Sequence, residues 1–258
     1  MEHALFALSG LDLLVCLYAL HKIRLIHIST FNIEAASVTA ARESTQLYAQ
    51  IQAYLDLLRL VEPARPLPTL RGWAASPDFL LRIAGHARDA APQRILECSS
   101  GASTVVLARC LQLNGSGHVV SLENDPAFAE QTRTSLRMHG LADWATVVDA
   151  PLVANAATGT PWYSLEGLTD DPGAFDMLVI DGPPRTVAPL ARHPALPMLS
   201  SRLSAACVVF LDDADRVEER ATLQRWATEF HDFAQTLLPC EKGCARLDRN
   251  PKIADGKL

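Results

Sequence analysis

The feature that most constrains this chain is an alternation of short apolar runs with stretches of helical periodicity. The runs cover residues 94–98, 118–123, 145–150, 175–181 and 206–212, and the helical stretches cover 77–87, 103–113, 126–139, 187–199 and 216–230. Strands joined through helices lie parallel, with the helices packed on both faces of the sheet. The third connection, 151–174, is the least regular and reads mostly as loop. Residues 232–238 and 242–248 form two more strand-like runs, too close for a crossover, so they must pair antiparallel. The expected fold class is α/β: a doubly wound, mostly parallel sheet with a C-terminal antiparallel strand pair, preceded by N-terminal helices.

Acids mark the ends of these runs. Glu123, Asp149, Asp181 and Asp212 stand at or beside the last position of four of them, and Glu97 stands one residue before the end of the first. Helix capping accounts for one or two such positions. Acids converging on one sheet edge favour a polar or cationic ligand, because a doubly wound sheet binds beyond the carboxyl ends of its strands, at the switch in strand order. The turn after the first run holds Ser99, Ser100, Gly101, Ala102 and Ser103. Its residues are small enough for a ligand to approach, but it has too little glycine to cradle a phosphate.

In order and spacing these segments resemble the motifs of class I S-adenosylmethionine-dependent methyltransferases of the O-methyltransferase type, a Rossmann-like family. LECSSGAS (96–103) resembles the first motif, VVSLEND (119–125) the second, VVDAPL (147–152) the third and FDMLVIDGPP (175–184) the fourth. The resemblance implies that Glu97 sits near the methionine end of S-adenosylmethionine, and that Ser99, Gly101 and Ala102 let the backbone approach it. It implies that Glu123 accepts hydrogen bonds from both ribose hydroxyls, with Asn124 and Asp125 flanking the adenine. Asp149 and Ala150 would line the adenine pocket, and Asp181 would face the reaction centre. The terminal antiparallel pair is also characteristic of this family's sheet. Where the family's loop usually carries several glycines, this one substitutes serines, which prefer ordinary backbone angles.

Methyl transfer from a sulfonium is an in-line displacement governed by positioning. A hydroxyl acceptor also needs its proton removed or its charge stabilised. Asp181 is a candidate for either task. With Asp212 and Asp213 of FLDDADR it resembles the divalent-metal site of small O-methyltransferases of the catechol type, where carboxylate oxygens would suit Mg²⁺ and the ion would lower the acceptor's pKa. The alternative is that Asp212 or Asp213 caps the helix beginning near Arg216. His193 is a candidate base because imidazole titrates near neutrality, and Arg185 is a candidate contact for the acceptor; the plain alternative is that both are surface residues. Trp162 and Tyr163 form either a substrate lid or a cover for the core edge. Pro183 and Pro184 stiffen the loop that would border the acceptor.

Two rival readings stay open at this point. A nicotinamide-dependent oxidoreductase would also use an acid after the second strand, but G-x-G-x-x-G is absent. The other rival is a non-catalytic, membrane-tethered scaffold with this fold, and the intact acids argue against it.

Residues 4–20 are apolar except for Ser9, Gly10 and Asp12, at the short edge of the ~20 residues that span a bilayer. No Lys or Arg precedes them and no clear cleavage site follows, which disfavours a cleaved signal peptide. His21, Lys22, Arg24 and His27 come next and would hold the remainder on the cytoplasmic side. Asp12 opposes insertion, at about 2.5–3.5 kcal/mol for a carboxylate at mid-bilayer. The expectation for segment 1–30 is membrane association, spanning or interfacial; the alternative is a buried or partner-packed helix. Localisation is then the cytoplasmic side of a membrane, or the cytoplasm. Segment 31–75 reads as an amphipathic helix carrying Leu47, Ile51, Tyr54, Leu57 and Leu58, followed by a Pro-rich linker. That helix is a layer on the main domain, or a stalk or self-association helix giving a homodimer. Residues 76–258 form the methyltransferase-like domain.

The net charge of −6 argues against a nucleic-acid partner. Of the six cysteines only Cys240 and Cys244 lie close together, with no second Cys/His pair to complete a zinc site. The expected substrate is a hydroxyl of a small molecule, a glycan or a lipid-linked precursor.

Overall fold

The structure is a computed structural model that describes residues 2–70, 72–168 and 174–250; the side chains of residues 2–14, 16 and 32–45 lie outside that description. Its elements are α1 (Glu2–Val61), α2 (Pro77–Ala90), β1 (Arg94–Cys98), α3 (Ala102–Asn114), β2 (His118–Glu123), α4 (Pro126–His139) and β3 (Ala145–Asp149). There follow β4 (Leu152–Val153), β5 (Trp162–Tyr163), β6 (Phe175–Ile180), α5 (Ala195–Leu199), β7 (Leu203–Asp212), α6 (Val217–Glu229), β8 (Phe233–Leu238) and β9 (Cys244–Arg249).

One sheet of seven strands has the order β3-β2-β1-β6-β7-β9-β8. The first five in that order are parallel, and β9 runs antiparallel to both its neighbours. This is the expected architecture, including the terminal pair. The helical stretch expected over 187–199 is shorter, confined to Ala195–Leu199. Pro189 and Pro194 lie just before it, and proline cannot donate to a helical ladder.

Side chains alternate across the sheet with a period of two. Ile95, Met177, Val179, Val208 and Phe210 enter one core layer, with Phe79, Ile83 and Val106 from α2 and α3. Leu96, Leu178, Ile180, Val209 and Leu211 enter the other, with Leu196, Leu199, Leu223 and Trp226 from α5 and α6. Both faces are covered, so the central strands read as nearly continuous apolar runs. Trp162 and Tyr163 are buried in the second layer and serve as core.

The chain falls into two compact units, Met1–Ala49 and Gln50–Leu258. In the second, Leu57 and Val61, one turn apart at the end of α1, are fully buried in the same layer as Phe79 and Leu80. Arg109 of α3 closes the end of α1, donating from Nε to the Val61 carbonyl at 3.0 Å and from Nη2 to that of Glu62 at 2.8 Å. Terminal helix carbonyls need such partners. The helical layer therefore joins the sheet unit before the Pro-rich linker. In the first unit the described side chains of α1, such as Val15, Leu17, Leu20, Ile23 and Ile26, are exposed. The expected membrane segment, 4–20, falls mostly on side chains outside the described residues. Among the described residues no helix is long and apolar enough to cross a membrane.

Leu57→Ala removes fully buried packing from the last turns of α1. It should lower unfolding stability by about 2–5 kcal/mol, read as a fall in the urea midpoint. A midpoint unchanged from wild type would show that these turns pack without contributing to the sheet unit.

Candidate active site

The site is built at the tip of β1, where strand order reverses. From β1 the chain goes through α3 to β2 and then β3 on one side, and it returns to β6 on the other. Ser99 N donates to the Leu122 carbonyl at 2.9 Å and Asp181 N to that of Cys98 at 3.1 Å, so the ladder extends one residue past the strands. Ser99 has φ +88°, a left-handed value that few non-glycine residues adopt. Gly182 faces it so closely that a Cβ there would lie 2.8 Å from Ser99 Cβ and 2.5 Å from Tyr163 Oη. Only glycine fits at 182.

Two carboxylates shape the loop after β1. Glu97 is wholly buried beneath it. Its Oε2 accepts from Thr104 Oγ1 at 2.6 Å and from Ser121 Oγ, while Oε1 has no partner. Thr104 Oγ1 in turn accepts from Gly101 N at 3.0 Å. Burial pushes the Glu97 carboxyl up from 4.5 to about 6; the nearby hydroxyls of Ser103, Ser121 and Thr104 oppose the rise and the Glu123 charge adds to it. Glu123, at the tip of β2, accepts at Oε2 from Ser100 N (2.8 Å) and Ser100 Oγ (2.9 Å), and at Oε1 from Asp125 N (3.1 Å).

A cavity of about 740 Å³ opens above this edge. Ser99, Gly101, Ala102, Glu123 and Asn124 line it, and so do Asp181, Asp212 and Asp213. Trp73, from the connection between α1 and α2, and Phe128 and Met138, from α4, complete its wall. Arg192, Arg216 and Lys242 also border it.

Several of the residues expected at the site have other surroundings. Glu97 lies under the loop rather than at the cavity surface. Asp125 lines the cavity, but its Oδ1 caps α4 by accepting from Ala127 N (2.8 Å) and Phe128 N (3.3 Å). Asp149 is outside the cavity and pairs with Arg133 at 2.8 Å. Ala150 is buried behind it, donating from N to the Glu123 carbonyl at 2.7 Å. His193 is also outside: its ring meets Glu229 at 3.3 Å and its carbonyl accepts from Trp226 Nε1 at 2.9 Å. Arg185 is exposed and does not border the cavity.

The acid cluster does come together, with one oxygen from each of Asp181, Asp212 and Asp213 within 4.8 Å of the others. Sequence reasoning missed its central residue, Arg192. The guanidinium is buried and donates from Nη2 to Asp181 Oδ1 (3.2 Å) and Asp213 Oδ2 (2.9 Å). It also donates from Nη1 to the Asp212 carbonyl (2.9 Å) and from Nη2 to the Asp181 carbonyl (2.8 Å). Its only trace in the sequence is a charge set in an apolar stretch, between Leu190–Ala191 and Ala195–Leu196. Burial raises Asp181 to about 6 against the pull of Arg192, and raises Asp212 to about 8 with help from Asp181 and Asp213. Burial alone would lower Arg192, but its carboxylate neighbours hold it firmly charged.

A family profile described as a methyltransferase domain matches residues 96–214. The catechol O-methyltransferase of Mycobacterium tuberculosis (strain ATCC 25618 / H37Rv) is 32% identical over 171 residues, covering 62% of this chain and 70% of that protein. This chain belongs to the class I S-adenosylmethionine-dependent O-methyltransferases. The fold agrees. The adenosylhomocysteine-bound methyltransferase PaMTH1 of Podospora anserina superposes with a TM-score of 0.56 at 18% identity, covering 82% of this chain and 95% of that one. Cofactor-bound Rv0187 from MTB gives 0.51 at 26% identity, covering 77% and 89%. The nicotinamide and scaffold readings fall away.

The methyltransferase's residues fit its cofactor. Gly101 has nothing within 4 Å of where a Cβ would stand, so the loop backbone faces open space. Carboxylates at the cavity edge suit a cationic, hydroxyl-bearing ligand with no phosphate. The second cluster fits a divalent ion less well, because a guanidinium already bonds two of its three acids.

Glu97 makes a specific prediction about pH. Between about 4.5 and 6 the folded methyltransferase binds this proton more tightly than the unfolded chain, so this group's share of stability falls as pH rises through that window. Glu97→Gln cannot titrate. Its stability relative to wild type should climb across that window and level off above it, in urea melts taken at several pH values. A flat difference would show that Glu97 keeps an ordinary carboxylate pKa.

Proposed function

We propose that this methyltransferase moves the sulfonium methyl of S-adenosylmethionine to a hydroxyl of a small molecule held between the Ser99–Ala102 turn and Asp181. The observation that carries the reading is the convergence of that turn, Glu123 and the acid cluster on one cavity. When bound, S-adenosylmethionine supplies an electrophilic methyl group on a positively charged sulfur.

The chain's part is placement. Glu123 takes the ribose hydroxyls with the lone pairs its loop bonds leave free, and Asn124 borders the adenine. Ser99, Gly101 and Ala102 let the methionine portion lie against the backbone. Glu97 acts from below, fixing Thr104 and Ser121 and so the course of the loop. Asp149, Ala150 and His193 have no role at the cavity in this assignment. Asp181 borders the same cavity from the tip of β6 and receives the acceptor's proton. Positioning of this kind supplies most of the acceleration in a displacement, and a well-placed base adds about 10²–10⁴-fold.

The acceptor is small because one cavity must hold both partners, and drug-sized ligands alone occupy pockets of about 300–1,000 Å³. Trp73, Phe128 and Met138 in its wall suit a flat ring. The relative from Mycobacterium tuberculosis is named for catechols, so catechols are the first acceptors to try.

Calorimetry on the full chain should show micromolar binding of S-adenosylmethionine, and Glu123→Ala should weaken it at least about tenfold, in line with the loss of a bidentate hydrogen-bond acceptor. Release of adenosylhomocysteine should depend on an added catechol. Asp181→Asn should cut kcat by about 100-fold or more while leaving cofactor binding intact. Tight cofactor binding without turnover on catechols and simple phenols would overturn the acceptor class.

A further inference from the structure

We propose that Arg192 holds the place in the acid cluster that a divalent ion would take, so that methyl transfer here runs on an internal guanidinium. The inference builds on the function proposed above and adds the identity of its cation. The observation is positional. Arg192 Nη2 lies 3.2 Å from Asp181 Oδ1 and 2.9 Å from Asp213 Oδ2, between two of the three carboxylates an ion would bridge. Arg216 Nη1 reaches the same Asp213 oxygen at 2.7 Å, so that carboxylate already faces two cations.

The guanidinium is fastened to the main chain as well. Nη1 and Nη2 bond the carbonyls of Asp212 and Asp181, which end β7 and follow β6. Swinging the side chain out to admit an ion would break both of these bonds as well as those to the carboxylates, a costly change. The guanidinium's Nε faces a further buried carboxylate, Glu219, whose Oε1 lies 3.7 Å away. Arginine also keeps its charge at any working pH.

The consequence for the reaction is local. The acceptor hydroxyl gives its proton to Asp181, and its oxygen forms the new bond to the methyl carbon. The carbon–sulfur bond breaks with its electron pair going to sulfur, leaving adenosylhomocysteine. Arg192 fixes Asp181 and Asp213 and supplies positive potential beside the oxygen that loses its proton. It is a positioning residue and touches neither substrate.

The test uses the full-length enzyme and Mn²⁺ alone, followed by electron paramagnetic resonance and calorimetry. Wild type treated with a chelator should bind no Mn²⁺ and gain no thermal stability from Mg²⁺. Arg192→Met, with the place vacated, should bind Mn²⁺, and adding Asp212→Asn should abolish that binding. With catechol as acceptor, chelation should leave wild-type kcat unchanged. Arg192→Met should lose about 100-fold or more in kcat with the KM for S-adenosylmethionine little altered, and Arg192→Lys should recover part of the loss. Mn²⁺ binding to wild type that Asp212→Asn removes, or activity lost to the chelator and restored by Mg²⁺, would overturn the proposal. The metal titration on wild type decides the matter even if Arg192→Met does not fold. It also decides it if catechols are not accepted, which would count against the acceptor class alone.

Discussion

The site depends on β1 lying between β2 and β6 and running parallel to both. Because the chain winds away from β1 in one direction and returns on its other side, the loops leaving neighbouring strands diverge and open a crevice at the tip of β1. The backbone bonds that carry the ladder past Cys98 make both edges of that crevice rigid. Ser99 on one edge and Gly182 on the other approach to the limit that van der Waals contact allows. Shifting the register of either strand by one residue would turn these loops to the wrong face.

Two groups of acids meet on this edge, and the protein stabilises them by different means. Glu97 and Glu123 are held by hydroxyls and backbone amides, which satisfy oxygen without adding charge. That leaves negative charge at the cavity, suited to a cationic cofactor. Asp181 and Asp213 are held by guanidinium groups, which offset their charge. The two groups thus differ in which partners each carboxylate has.

The alternation of runs made the sheet and its helices legible from composition and spacing alone, because parallel pairing buried on both faces leaves a plain pattern. The acids at strand ends pointed to the sheet edge at which the cavity opens. What stayed hidden depended on three-dimensional proximity. Asp149 belongs to a recognisable motif, yet Arg133, from a helix earlier in the chain, draws its side chain aside. His193 and Arg192 are neighbours in a stretch broken by prolines, where no periodicity says which side chain faces the acid cluster; the guanidinium does, and the imidazole meets Glu229. The single glycine of the loop looked like a weakness. The structure accommodates it by placing Ser99 at a positive φ, a conformation that its hydrogen bond to Leu122 helps to hold.

The strand β7 carries Asp212 at its end, and β9 covers its outer edge from Val208 to Asp212. Those covering residues leave the ribosome only after β7 itself has emerged. Until Cys244–Arg249 emerge, a nascent chain presents a long, apolar, unpaired edge next to the centre of its sheet, the kind of surface that recruits other strands. Lys242 and the carbonyl of Gly243, which accepts from Ala214 beside the acids, arrive in the same interval. Synthesis therefore completes the cavity and seals the sheet together, so a prematurely terminated product would be both inactive and prone to aggregate.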